Sequence, residues 1–389
     1  MLRSTIFRYP ALLVLVLLPG LLAGLPARSE PIDTAARQAL VLDYDTGTVL
    51  MEKNADQLMA PSSMSKLMLV YMVFERLKAG SLKLTDEFTV SERAWKKFYK
   101  TDASLMFLPL NSRVSVSDLL RGVIVQSGND ACSVLAEGIW GSEETFAEQG
   151  TREGKSIGLT NSVFKNASGW PEPGHVMTAR DLATLGTRLI HDFPEYYSIF
   201  SEMDFTYNKI KQGNRNPLLY DHVGADGLKT GHTDEGGYGL TGSAVRDGHR
   251  VILVLNGLPS MKSRTTESAT VLDWAFREFT DLHPYKAGAV VADAKVWLGQ
   301  APSVSLAVAR AVVMTVPRAT SNAVKVSVVY DEPIPAPIKE GQQVGTLKME
   351  APGLAAIEVP LVATASVAKI GFFGRISAAL AHFVHGSSG

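Results

Sequence analysis

The run Leu67-Met68-Leu69-Val70-Tyr71-Met72-Val73-Phe74 is apolar on every side of a helix, so a stable fold must bury it at a domain centre. Its start is marked by Pro61, which needs no N–H, and by Ser62 and Ser63, whose hydroxyls suit the free N–H groups of a first turn. Gly80 marks its end. Ser63-Met64-Ser65-Lys66 therefore stands at the N-terminal end of a buried helix. Residues i and i+3 share a helix face, about 5–6 Å apart at Cβ, so Ser63 and Lys66 meet there. That end also carries partial positive charge, which favours a developing anion. The pattern S-x-x-K recurs at Ser162–Lys165, in a polar stretch, and at Ser366–Lys369, at the opening of the C-terminal tail. Neither has this setting, and an isolated match reads as a cap beside a solvated lysine.

Two further motifs follow. Ser127-Gly128-Asn129 stands between a helix predicted from Ser117 to Gln126 and another predicted from Asp130 through Ala136, which makes it a helix–helix connection. Lys229-Thr230-Gly231 precedes Gly239–Val245 and Val251–Leu255, joined by Asp247-Gly248. That is a hairpin, so the triplet lies on or beside an antiparallel strand.

The order S-x-x-K, S-x-N, K-T-G resembles the signature of active-site serine enzymes that bind penicillin. Val125–Cys132, Asp226–Thr233, Ala336–Lys339 with Gly341, and Gly371–Arg375 make the likeness more specific. From about residue 35 onward, the chain resembles the D-alanyl-D-alanine carboxypeptidases of the low-molecular-mass penicillin-binding proteins. S-G-N in place of S-D-N fits the carboxypeptidase branch, and no E-x-x-L-N segment suggests the deacylating glutamate of a class A β-lactamase. The resemblance implies a serine-type hydrolase that removes the terminal D-alanine from peptidoglycan stem pentapeptides through an acyl-enzyme on Ser63, with β-lactams as inhibitors and no cofactor or metal. Other outcomes of the same acyl-enzyme stay open: a D,D-endopeptidase, a transpeptidase or a weak β-lactamase. A non-catalytic protein that only binds is opposed by the intact set of Ser63, Lys66, Ser127, Asn129 and Lys229.

Chemistry assigns roles to these residues. A serine hydroxyl needs a base, and Lys66 can serve only when neutral. Burial and a nearby second cation, Lys229, would each lower its pKa. Ser127 can relay a proton to the leaving amine, and Asn129 can bond the substrate backbone. By resemblance, the backbone N–H groups of Ser63 and of His232, the residue after Gly231, form the oxyanion hole. By the same resemblance, Thr230 and Arg215 lie near the substrate's terminal carboxylate. Read alone, Arg215 in Asn214-Arg215-Asn216 is a surface loop arginine.

Composition agrees with export. Residues 1–29 read as a signal peptide, with Arg3 and Arg8 ahead of an apolar run and Ala27-Arg28-Ser29 as a small-x-small cleavage site. Their removal takes away three arginines and no acid, so the formal charge falls from −1 to −4 and leaves no basic excess for nucleic acid. Cys132, the only cysteine, forbids an intrachain disulfide and is either a small core side chain or a thiol close to Ser127.

The fold expected is α+β: residues 30–282 as a penicillin-binding/β-lactamase-like domain, with an antiparallel sheet and a helical cluster, then 283–362 as a small all-β sandwich. The first domain opens with a hairpin around Asp45-Thr46-Gly47, contains a helix boxed by Thr178 and Asp181, and closes with a helix near Thr266–Phe279. Gly237–Gly242 matches G-x-G-x-x-G but leads into a hairpin, so it is structural. In the tail, 363–389, apolar residues recur at Val367, Ile370, Phe373, Ile376, Leu380 and Phe383 with helical spacing. Such a helix would lie on the inner-membrane surface from the periplasmic side, or dock on the protein itself.

Overall fold

The computed structural model describes residues 32–220 and 224–371. The chain enters as the hairpin Gln38–Asp43 and Val49–Lys53, the sequence-predicted one. Those strands become one edge of a five-stranded antiparallel sheet, completed by His249–Leu258, Gly237–Arg246 and Ala225–Thr233. One row across it runs Leu40, Val254, Thr241, Lys229, so residues some 190 positions apart in sequence share a sheet row. Alternation along these strands makes two apolar faces. Leu40, Ile252 and Val254 face the helical cluster, while Ala39, Val41, Leu253 and Leu255 pack under the helix Met261–Glu278. That helix starts earlier than its apolar pattern indicates, because Ser260 accepts the Ser263 N–H at 3.0 Å and caps it there.

The central helix Lys66–Lys78 is buried from Leu67 to Phe74, every residue at 2% exposure or less. Its end is as predicted: Gly80 takes φ +71°, with its N–H bonded to the Leu77 carbonyl. Its start differs. Ser62–Ser65 form a 3₁₀ turn ahead of the α-helix, and no serine hydroxyl caps it. Ser65 Oγ instead donates to the Ser62 carbonyl, and Ser62 Oγ lies 3.0 Å from Thr233 Oγ1. The turn is tied sideways to the sheet rather than along its own helix. The box at Thr178 is half made: Thr178 Oγ1 accepts the Asp181 N–H, but Asp181 turns its carboxylate to Ser162 Oγ and the Asn161 N–H.

The second domain is all-β, around its own apolar core. Lys325–Val329, Gln343–Glu350, Ile357–Ala363, Ser303–Val308, Val290–Trp297 and Ile334–Pro335 form a six-stranded sheet in that order. Phe279–Tyr285 pairs with Val312–Pro317, so a single strand crosses residue 282. Val367 and Ile370, where the sequence predicts an amphipathic helix to begin, are extended. Val367 exchanges backbone bonds with Ile338, and the Ile370 N–H reaches the Leu298 carbonyl. Available strand partners outweigh helical spacing there. Phe373, Ile376, Leu380 and Phe383 lie outside the described residues, as do positions 1–29.

Candidate active site

Three elements converge on Ser63. The 3₁₀ turn presents it, with Ser62 held in the left-handed region at φ +51°. The strand Ala225–Thr233 presses on that turn. A Cβ on Gly231 would stand 3.0 Å from Ser62 Cβ and 3.1 Å from the Pro61 carbonyl oxygen, so only glycine lets the strand come so near. The third element is the loop Asn166–Trp170. Its Gly169 has φ +72°, and a Cβ there would fall 2.0 Å from the Ser62 carbonyl oxygen.

Lys66 is wholly buried, and its Nζ has three partners: Ser63 Oγ at 2.8 Å, Asn129 Oδ1 at 2.6 Å and the Ser168 carbonyl. Burial is the main reason that its pKa falls to about 8, with Arg215 adding to the depression and the Cys132 thiol opposing it. The expected like-charge effect of Lys229 is not among the leading causes. Lys229 is itself buried and pushed well below the ordinary lysine value, first by burial and then by Lys66 and Arg215. Its Nζ donates to the Thr230 carbonyl.

Ser127 ends a π-helical turn, Gly122–Gln126, in the left-handed conformation at φ +67°. Gly128 then leads into the helix Asn129–Trp140. The connection is as predicted, but one of its members points inward: Asn129 spends its side-chain oxygen on Lys66. Cys132 is a core side chain whose Sγ donates to the Gly128 carbonyl, and burial pushes its thiol up to about 12, which leaves it unreactive.

Ser63, Ser127, Asn129, Arg215, Thr230, Gly231 and His232 all line one cavity of about 830 Å³, whereas Lys66 and Lys229 do not reach its lining. Arg215, read from sequence alone as a loop residue, extends its guanidinium to Ser104 Oγ at 2.6 Å on that wall. The His232 ring packs on Tyr238 with centroids 3.9 Å apart. Among the described residues, Ser63 Oγ has Lys66 as its side-chain hydrogen-bond partner, not a histidine. The other two S-x-x-K serines are accounted for: Ser162 is buried on Asp181, and Ser366 Oγ accepts the Glu340 N–H.

The Asn166–Trp170 loop is what the sequence reading missed. Asn166 Oδ1 accepts the N–H groups of Ser168, Gly169 and Trp170, which folds the loop and directs the Ser168 carbonyl at Lys66. The buried Glu143, which accepts from Lys97 Nζ and Ser133 Oγ, braces it through the Ala167 N–H at 3.2 Å. Asn166 with Ser168-Gly169 two residues on is a turn signal that was available. Its link to Lys66 was not, because that contact spans the fold.

A family model described as D-alanyl-D-alanine carboxypeptidase matches residues 26–259, and one described as penicillin-binding protein 5, C-terminal domain, matches 279–369. The D-alanyl-D-alanine carboxypeptidase DacC of Escherichia coli (strain K12) is 42% identical over 345 residues, covering 88% of this chain and 86% of that protein. Penicillin-binding protein 5 from Haemophilus influenzae superposes with a TM-score of 0.80 at 38% identity, over 87% of this chain and 99% of that one. Penicillin-binding protein D2 from Listeria monocytogenes, in an ampicillin-bound form, matches 64% of this chain and 99% of its own at 30% identity and TM-score 0.57. With both domains matched in order and at this identity, the chain belongs to the D-alanyl-D-alanine carboxypeptidase family of serine hydrolases.

Proposed function

We propose that this protein removes the terminal D-alanine from peptidoglycan stem pentapeptides, with Ser63 as nucleophile and neutral Lys66 as its base. The observation that carries the reading is the 2.8 Å contact between Ser63 Oγ and a fully buried lysine whose pKa is about 8. At pH 7 about a tenth of the molecules then hold Lys66 neutral and ready to accept a proton, far more than an ordinary lysine provides.

Ser63 Oγ attacks the carbonyl of the penultimate D-alanine while its proton passes to Lys66. The backbone N–H groups of Ser63 and His232 receive the tetrahedral oxygen, at the positive end of the central helix. Ser127 passes a proton to the departing amine. Thr230 and Arg215 hold the substrate's terminal carboxylate, with Lys229 behind them. Water then releases the shortened peptide from Ser63. The same acyl chemistry accounts for β-lactam inhibition, in keeping with the ampicillin-bound Listeria relative.

Mass spectrometry of a purified pentapeptide should show loss of one alanine. Cross-link cleavage or antibiotic turnover in its place would select the endopeptidase or β-lactamase outcome. Fluorescent penicillin should label the Ser63 peptide and spare Ser63→Ala.

The reading also places the enzyme in the periplasm after cleavage near Ser29, held at the inner-membrane surface by its tail. No helix among the described residues is long and apolar enough to cross a membrane. Because 364–371 belong to the β domain, the informative truncation is after Gly371. It should free the enzyme from membranes and leave its activity on a soluble peptide unchanged; continued sedimentation with membranes rules the anchor out.

A further inference from the structure

Asp43, His249 and Asp281 meet at the junction of the two domains, and none of them lines the Ser63 cavity. Asp43 ends the strand Gln38–Asp43 and His249 begins His249–Leu258, both in the catalytic domain. Asp281 lies on Phe279–Tyr285, within the part matched by the C-terminal domain model. Their side chains are buried, at 0%, 8% and 3% exposure. Asp43 Oδ2, Asp281 Oδ2 and both His249 ring nitrogens lack a well-formed hydrogen bond. Two carboxylates turned on one buried point with a single imidazole between them are costly unless further positive charge meets them.

We propose that these three residues bind one divalent transition metal of the zinc class, which staples the β domain to the catalytic domain. One nitrogen and two carboxylate oxygens suit that ion, with water in the fourth position. His249 Nε2 lies 3.0 Å from Asp43 Oδ2 and 3.8 Å from Asp281 Oδ2. Those distances bracket the roughly 3.3 Å edge of a tetrahedron with metal–ligand bonds of about 2.0–2.1 Å. The other oxygen of each carboxylate is already held. Asp43 Oδ1 accepts the Thr46 N–H at 2.6 Å and its hydroxyl at 2.5 Å, and Asp281 Oδ1 accepts the Thr315 hydroxyl at 2.8 Å. Thr46 and Thr315 also touch each other, at 2.6 Å, across the junction. These outer contacts fix each carboxylate with its free oxygen inward, as metal-ligating carboxylates are commonly fixed. A divalent ion would cancel the charge that the cluster holds.

The test uses the full chain, stripped with a chelator and titrated with Zn²⁺ or Co²⁺ at neutral pH. One saturable equivalent should raise the melting temperature, and Co²⁺ should give the visible bands of a four-coordinate site. His249→Ala and Asp281→Asn should each lose both responses and still be labelled by fluorescent penicillin. Thr315→Val should weaken binding by roughly 10–100-fold. No saturable binding overturns the proposal. So does a variant that responds to metal as the parent does, or a stability loss in His249→Ala that is equal with metal and with chelator, since an internal ion pair explains that alone. If His249→Ala fails to fold, the near-isosteric Asp281→Asn decides.

Discussion

The neighbourhood of Ser63 and the core of the β domain are built to opposite rules. The first buries two lysines, Lys66 and Lys229, and keeps Ser62 and Ser127 in the left-handed region at φ +51° and +67°. The second is apolar: among the described residues after 282, the buried polar side chains are Thr315 and Thr320, neither of them charged. A buried unpaired cation and a left-handed non-glycine residue each cost stability, the latter about 1–3 kcal/mol. Left-handed non-glycine residues also occur elsewhere, Leu298 of the β domain at φ +57° among them, so the difference lies in the buried lysines, which the fold accepts beside Ser63. None of the residues that line the Ser63 cavity comes from the β domain.

Replacing Lys66 tests that contrast most severely. Lys66→Met should lower acylation by at least about 10²–10⁴-fold, the usual contribution of a general base. It should leave the melting temperature unchanged or higher, since an apolar side chain of similar length removes a desolvated cation. A large loss of both would mean that the contacts of Lys66 to Asn129 and Ser168 hold the fold, and the contrast would fail.

The mirror experiment is Leu361→Ala, in the β core at 0% exposure. We expect about 2–5 kcal/mol of destabilisation by denaturant unfolding, with the acylation rate of the remaining folded protein unchanged. A slowed rate would show that the β domain does shape the site.

A pair of glycines sharpens the comparison further. Gly169→Ala, with a backbone oxygen in the way at 2.0 Å, should cost roughly 1–3 kcal/mol through overpacking and also slow acylation by displacing the Ser62–Ser63 turn. Gly353→Ala, at φ +79° with open space around it, should cost only about 1 kcal/mol and leave acylation alone. Equal effects would mean that the Asn166–Trp170 loop is not the brace described above.

The last test is with pH. The acylation rate should rise about tenfold per unit below pH 8 and level off above it, because the proposed base is neutral Lys66, whose pKa is about 8. Dependence in the opposite direction would require a protonated Lys66 in the rate-determining step.

Much of this was legible in the sequence. The central helix, both hairpins of the sheet and the placement of the three motifs on a helix start, a helix–helix connection and a strand follow from period, glycine and proline positions. Less legible were strands such as Gln343–Glu350 and Ile357–Ala363, which are polar on one face. The start of the tail misled because Val367 and Ile370 have helical spacing, yet their backbone groups find partners in the β domain. Ser62 and Ser63 looked like caps because cap preference is local, whereas the hydroxyl of Ser62 was claimed by Thr233 across the fold.

By itself, then, the sequence determined which residue types stand at which ends of which elements, since helix period, turn chemistry and capping act over a few neighbouring positions. Only the tertiary structure decided how those residues behave. The depressed pKa of Lys66 arises mainly from burial beneath the Ser168 carbonyl and Asn129, and the nearness of Gly231 to Ser62 from strand packing. The meeting of Asp43, His249 and Asp281 arises from the docking of two domains. Dielectric environment and the positions of charges are set by neighbours far away in the chain, and no local pattern encodes them.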